Sequence, residues 1–337
     1  MLKPTDLIRL PYTPDLTEGG IAYACRSLAY TYNRMGGSPL QRLRRIVAGV
    51  AVELAFRRFL GEQAVPFDVL GATPFTQPDR YDVSLGGHRC DLKSYHISRR
   101  RQIALIRRDP GRLLEAPALV PLDQYTAEGH RPDDIYLFAF LLGVIAASHE
   151  DAARAQAAGQ PLYLMAPLPD LWARPPAWLP LNTLSLKSEC DQPLRVELGG
   201  QDAERRFITW SLDLPPRRRV LVPGEWYTVA YLHCQRRPEA RLGIHSPQRG
   251  AAHIVHPHEW GNIWVYGMDI FLAGWMTHQE FRRKAFLLKA GASTFQYTRT
   301  RTKNLALPVA ELAPLVPLLQ QVRAWESVRK NQPGGET

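Results

Sequence analysis

Residues 79–94 constrain the fold of this chain more than any other stretch. They read Asp-Arg-Tyr-Asp-Val-Ser-Leu-Gly-Gly-His-Arg-Cys-Asp-Leu-Lys-Ser. Residues 81–85 and 88–94 both alternate, and Gly86-Gly87 between them is a two-residue hairpin signal. Closing that hairpin sets Leu85 opposite His88, Val83 opposite Cys90 and Asp82 opposite Asp91. Period-two alternation puts Lys93 on the face of Asp91. Two carboxylates directly across a ladder repel each other and weaken the pairing. A divalent cation held between them offsets that repulsion, because hard cations take carboxylate oxygens.

A helix is predicted just upstream. Ser38-Pro39 supplies a capping residue and a proline at the first helical position. The pattern runs to about Leu60 and stops at Gly61. Its apolar stripe is Leu43, Ile46, Val47, Val50 and Leu54, and Glu53 falls on or beside it. An inward-facing carboxylate is costly unless something pairs with it. Two readings stay open: an ion pair with Arg57 at i+4, or a side chain turned toward Asp82 and Asp91.

These residues together resemble the PD-(D/E)xK nuclease superfamily, the restriction-endonuclease-like fold. That pattern has an acid at the start of one strand, an acid-x-Lys on the next, and an acid on a preceding helix. Asp82, Asp91, Lys93 and Glu53 match it, while Tyr81 stands where a proline is usually written. The resemblance covers residues 40–145, and the C-terminal part more loosely. It implies an α/β fold: a mixed sheet flanked by helices, here with an inserted antiparallel β unit. It implies Mg²⁺, with Mn²⁺ as a substitute, bound by Asp82, Asp91 and Glu53, and Lys93 positioning or activating the attacking water. The implied activity is endonucleolytic hydrolysis of DNA in prokaryotic defence, restriction or repair, with a homodimer or a partner protein of a defence complex. Two alternatives stand beside it: an RNA nuclease on the same site, and a non-catalytic nucleic-acid-binding or assembly subunit.

Charge points the same way. The chain of 337 residues carries a net charge of +10, which favours a polyanionic partner, and nucleic acid leads. Arg99, Arg100, Arg101 and Arg107 follow the acid-x-Lys strand closely. They are expected either to clamp phosphate beside the scissile bond or to form a charged loop. The four cysteines, Cys25, Cys90, Cys190 and Cys234, lie far apart with no C-x-x-C. That pattern predicts reduced, buried thiols in a cytoplasmic protein. No signal-peptide pattern and no apolar run near the roughly 20 residues of a membrane span are present, so no membrane partner is expected.

The rest of the chain organises around that core. A helix is predicted over 20–32 and a strand over 65–70. Residues 135–142 are apolar on both faces and read as a central strand. From residue 149 prolines cluster, and short alternating segments at 194–198, 207–212, 219–222 and 226–232 predict an antiparallel β unit. Residues 268–275 read as a strand packing beside 135–142. A capping box from Thr277 to Glu280 then opens a helix burying Phe281, Ala285 and Leu288 and ending at Gly291. A last helix is predicted over 308–325. The expected division is a core over 1–148, an insert over 149–262, closing elements over 263–326 and a disordered tail over 327–337. His253, His256 and His258 lack a convincing fourth zinc ligand. His96, just past Lys93, is expected either to assist at the site or, more ordinarily, to be a surface histidine. The aromatics Trp226, Tyr227, Tyr231, Trp260 and Trp264 fit a base-stacking platform or, more ordinarily, a β-unit core. Arg217, Arg218, Arg219, Arg299, Arg301 and Lys303 are candidate phosphate contacts without sequence information.

Overall fold

The computed structural model describes residues 1–31, 37–69, 82–126 and 129–331. The chain divides into two compact units. One comprises Met1–Gly20, Ala48–Val144 and Tyr266–Thr337; the other comprises Ile21–Val47 and Ile145–Val265.

The chain opens with β1 (Ile8–Pro11), α1 (Pro14–Thr31) and α2 (Pro39–Glu62), then β2 (Val83–Leu85), β3 (His88–Ile97) and α3 (Arg100–Arg108). Next come β4 (Pro117–Pro121), the one-turn α4 (Leu122–Tyr125) and β5 (Ile135–Ile145). The middle of the chain supplies α5 (His149–Ala157), β6 (Leu164–Pro167), α6 (Asp170–Ala173), β7 (Ser185–Ser188) and β8 (Leu194–Gln201). It continues through β9 (Phe207–Leu214), β10 (Arg219–Leu221), β11 (Thr228–Cys234), β12 (Leu242–His245), β13 (His253–Val255) and β14 (Gly261–Asn262). Last are β15 (Val265–Thr277), α7 (His278–Lys284), β16 (Phe286–Leu288), β17 (Asn304–Pro308) and α8 (Leu315–Asn331).

The first unit is α/β. Its main sheet is mixed, in the order β1-β15-β5-β3-β2. β2 and β3 pair antiparallel with Val83 opposite Cys90 and Leu85 opposite His88, the register the alternation predicts. Gly86 and Gly87 adopt φ of +56° and +83°, the left-handed pair that a two-residue turn matched to strand twist requires. β3 runs parallel to β5, from Cys90 opposite Ile135 to Ile97 opposite Leu142. β5 is buried through its first nine residues, as a central strand covered on both faces must be. Tyr136, Phe138, Phe140 and Leu142 alternate onto one face of β5 and share a core with Tyr95, Ile97, Ile103, Ile106 and Phe281. Arg89 ties the start of β5 to β3 with a two-pronged bond to buried Asp134, at 2.8 and 2.7 Å. A smaller antiparallel sheet, β16-β17-β4, completes the unit.

The second unit contains two antiparallel sheets, β10-β7-β12-β13 and β14-β6-β11-β8-β9. Leu186, Leu242 and Ile244 of the first meet Val196, Leu198, Val229 and Leu232 of the second in one core, the arrangement of a β-sandwich. Trp226, Tyr231 and Trp260 are fully buried. They are packing residues of this unit and not an exposed stacking platform.

Several expectations are corrected. Residues 65–69 form no strand beyond a bridge from Asp68 to Ser84, and residues 70–81, including the loop before the hairpin, lie outside the described residues. Thr277 does cap α7, accepting from the Glu280 N–H at 3.2 Å. That helix ends at Lys284, and Phe286–Leu288 turns into a strand paired with β17. The run Phe-Leu-Leu suits a pleated edge, and tertiary pairing outweighs the helical spacing. Residues 21–47 belong with the β-rich unit, whereas the sequence suggests they start the core. The last helix begins at Leu315, after a single 3₁₀ turn over Val309–Glu311. Residues 332–337 lie outside the described residues.

Candidate metal and phosphate site at the β2–β3 hairpin

Hydrogen bonding in the hairpin extends one residue beyond β2. The Asp82 N–H donates to the carbonyl of Cys90 at 2.9 Å, the residue that Val83 already faces, so the regular pairing ends at Val83, one residue short of the expected Asp82–Asp91 pair. Asp82 Oδ2 accepts the Leu92 N–H at 2.6 Å, so its carboxylate is fixed against β3. Asp91 and Lys93 share a face of β3. Asp91 Oδ2 lies 2.6 Å from Lys93 Nζ, with side chains only 15% and 14% exposed. Sheltering a lysine this far is costly unless its Nζ has partners. The second partner is Gln124 of α4, whose Oε1 accepts from Nζ at 2.8 Å. The ring of Tyr136 is the third neighbour, 5.9 Å from Nζ. It is opposite Asp91 in the parallel β3–β5 ladder.

Glu53 reaches this site as charge. Burial pushes the Asp82 carboxyl well above the ordinary carboxylate range, and the nearby carboxylates of Glu53 and then Asp91 push it further. Arg57, the other partner weighed for Glu53, sends Nη2 to the Asp82 carbonyl at 3.1 Å. The helix thus braces the hairpin backbone while its acid faces the aspartates electrostatically.

The donor chemistry fits a hard divalent cation at Asp82 and Asp91: two carboxylates held close, with the charge of Asp91 disfavouring ionisation of Asp82. Among the described residues no group of three or more His, Cys, Asp or Glu is arranged to hold a metal. Glu53 is therefore a charge acting on Asp82 here and does not complete a three-residue ligand set. The same finding applies to His253, His256 and His258, of which His256 and His258 stack at 5.6 Å.

Comparison with protein-family models, with curated proteins and with solved structures returns no match. The chemistry of the site therefore rests on its own geometry.

The arginine run is placed differently from expectation. α3 follows the C-terminal end of β3, and Asp91 to Ile97 is six residues, about 20 Å of extended strand. Arg99, Arg100, Arg101 and Arg107 are thus at the far end of the strand from Asp91. Arg99 Nη2 donates to the Phe295 carbonyl at 2.9 Å and its Nε to Gln102 at 3.0 Å. Arg107 Nε lies 2.9 Å from Asp269, a buried carboxylate that Arg9 also engages. Both have structural partners; Arg100 and Arg101 are exposed on α3. His96 points to the opposite face of β3 from Lys93. Its Nε2 sits 3.2 Å from the Gly143 carbonyl, and burial pulls its pKa down to about 4. It packs the sheet and does not assist Lys93.

Sequence reasoning misses Gln124 and Tyr136. Tyr136 was accessible in principle, since a parallel strand beginning at Ile135 puts its second residue beside Asp91. Gln124 carries no signal: it sits on a single helical turn whose place is set by β4. Among the described residues, no helix is long and apolar enough to cross a membrane.

Proposed function

We propose that this protein is a divalent-metal-dependent nuclease that hydrolyses phosphodiester bonds of DNA, on a restriction-endonuclease-like form of the mixed α/β sheet. The observation that carries this reading is the Asp91–Lys93 contact at 2.6 Å with the Asp82 carboxylate fixed to the N–H of Leu92, the residue between them in sequence. A buried carboxylate whose ionisation its acidic neighbours oppose, beside a sheltered lysine, favours a metal and phosphate site over a structural ion pair.

Asp82 and Asp91 would hold Mg²⁺ or Mn²⁺, and Glu53 adds negative charge behind Asp82. Bound there, the ion supplies Lewis acidity toward the phosphoryl oxygen and an acidified water. The protein's own groups do the rest. Gln124 and Asp91 hold the Lys93 ammonium in place. From there it donates to the attacking water or to a phosphoryl oxygen as negative charge builds. The backbone N–H of Leu92 keeps Asp82 turned toward β3. The net charge of +10 favours encounter with a polyanion. The biological setting that fits the resemblance is prokaryotic antiviral defence, restriction or repair in the cytoplasm, with a second copy or a partner protein.

Incubation with supercoiled plasmid and Mg²⁺ or Mn²⁺ tests this. Nicking is expected, and Asp91→Asn and Lys93→Met should each lower it by at least about 100-fold with circular dichroism unchanged. Metal-independent nicking, or nicking indifferent to Asp91→Asn, overturns the reading. Single-stranded DNA, duplex DNA and RNA compared on one gel separate a DNA enzyme from an RNA enzyme. Binding without cleavage of any of them favours a non-catalytic subunit.

A further inference from the structure

The four-stranded sheet of the β-rich unit has a face turned away from its core. Leu186, Leu242, Ile244 and Val255 point inward, so their neighbours in sequence point outward. The strand registers line those neighbours up in rows. Arg219 is opposite Lys187, Lys187 opposite Gly243, and Gly243 opposite Ile254. In the next row Leu221 is opposite Ser185, and Ser185 opposite His245. Gly243 has no side chain, and a Cβ there would meet the end of Ile254 at 3.1 Å. The gap it leaves is the floor of a trough of about 110 Å³, walled by Lys187, Arg219, Arg241, His245 and Ile254.

The charges on this face are unbalanced. Two cations directly across a ladder destabilise the pair unless an anion lies between them. Glu189 also lines the trough and lies within electrostatic reach of Lys187, but its two oxygens accept from Arg241, at 2.8 and 3.1 Å. Arg217, next in the basic run, is paired with Asp191 at 2.8 Å. Among the described residues, Lys187 and Arg219 make no ion pair. Apolar surface lies beside them: Leu221 is 62% and Ile254 39% exposed. Sheets that hold single strands combine cations along the backbone with aromatic side chains under the bases; here the apolar contacts to the bases are aliphatic. A duplex offers this face only phosphates and would leave Leu221 and Ile254 uncovered by bases.

We infer that the outer face of β10-β7-β12-β13 binds a single-stranded nucleic acid segment, with a phosphate between Lys187 and Arg219 and bases against Leu221 and Ile254. This site stands apart from the chemistry proposed for Asp82 and Asp91, and binding is measurable whether or not the protein cleaves.

Fluorescence anisotropy decides it, using the full-length Asp91→Asn protein in EDTA with a short labelled oligonucleotide, single-stranded or annealed to its complement. Combining Lys187→Gln with Arg219→Gln should weaken single-strand binding at least tenfold. It should also flatten the slope of log affinity against log salt by about 0.7, the counterion release of the one phosphate that the two cations share. Leu221→Ser should weaken single-strand binding by about two- to fivefold with the slope unchanged. Arg195→Gln removes one exposed cation from the other sheet and should change neither. An unaltered slope in the double variant overturns the proposal. So does a loss as large for the duplex as for the single strand, or an effect of Arg195→Gln equal to that of the double variant.

Discussion

Asp82 is the residue whose environment makes the sharpest predictions. Burial and the charges of Glu53 and Asp91 raise its folded pKa, so the folded chain holds a proton there more tightly than the unfolded chain. The stability this group contributes is complete below its unfolded value of about 3.9 and is lost as pH rises through the raised folded value. At neutral pH, far above the unfolded value, Asp82 thus destabilises the metal-free fold, whether by holding its proton or by carrying a charge beside Glu53 and Asp91. Asp82→Asn should raise the melting temperature in EDTA at neutral pH, by roughly 2–4 °C per kcal/mol relieved. The gain should shrink as pH falls toward 4. Mg²⁺ should raise the melting temperature of the parent protein and not of Asp82→Asn. Calorimetry that finds the variant less stable at neutral pH would contradict this account of the site.

His96 has the opposite sign. Its pKa is pulled down to about 4 from an ordinary value near 6.5, so it is neutral in the fold and protonates readily once unfolded. Its contribution is present above about 6.5 and lost as pH falls through the folded value. Urea midpoints of the parent should drop more steeply than those of His96→Gln between about pH 7 and pH 4. Parallel curves would show that another group carries that slope. Gln124 acts on the reaction through Lys93. Gln124→Leu should lower the turnover rate about tenfold with little change in KM, a smaller loss than that of Lys93→Met.

At the scale of elements, the hairpin is the part most exposed to single changes. Gly86 has a φ of +56°, and a Cβ there would come within 2.9 Å of the Trp325 ring of α8. Gly86→Ala should cost about 1–2 kcal/mol for the left-handed backbone alone, measured by urea denaturation. It should also reduce nicking, because the turn sets the register that brings the Asp82 carboxylate against β3 at Leu92. Gly87 has φ of +83°, and a Cβ added there would meet nothing within 4 Å, so Gly87→Ala isolates the backbone cost from the Trp325 contact. If Gly87→Ala proves as harmful as Gly86→Ala, packing by α8 contributes nothing to the turn.

For the molecule as a whole, all four cysteines are buried and none is in a disulfide. Burial raises the thiol of Cys25 to about 11 and those of Cys90 and Cys234 further still. A thiol reagent at neutral pH should leave the native protein almost unmodified and titrate every cysteine in denaturant. Rapid labelling of one thiol in the native state would show that its unit opens locally.

Legibility followed distance along the chain. The register of the β2–β3 hairpin from Val83 to Leu85 and the shared face of Asp91 and Lys93 follow from alternation and two glycines within a dozen residues, whereas the expected pairing of Asp82 with Asp91 does not form in that register. The buried strand β5 and the capped start of α7 were legible for the same reason: local chemistry specifies them. What depended on contacts between distant segments was not. The grip of Gln124 on Lys93, the capture of Arg107 by Asp269 and the turn of Phe286–Leu288 into a strand against β17 have no local signature. The same holds for the rows of side chains on the β10-β7-β12-β13 face, which exist only once four separate strands have aligned. Sequence by itself determined which residues a strand or turn presents; the tertiary structure decided which of them meet, because burial and pairing reward contacts that no short window of sequence contains.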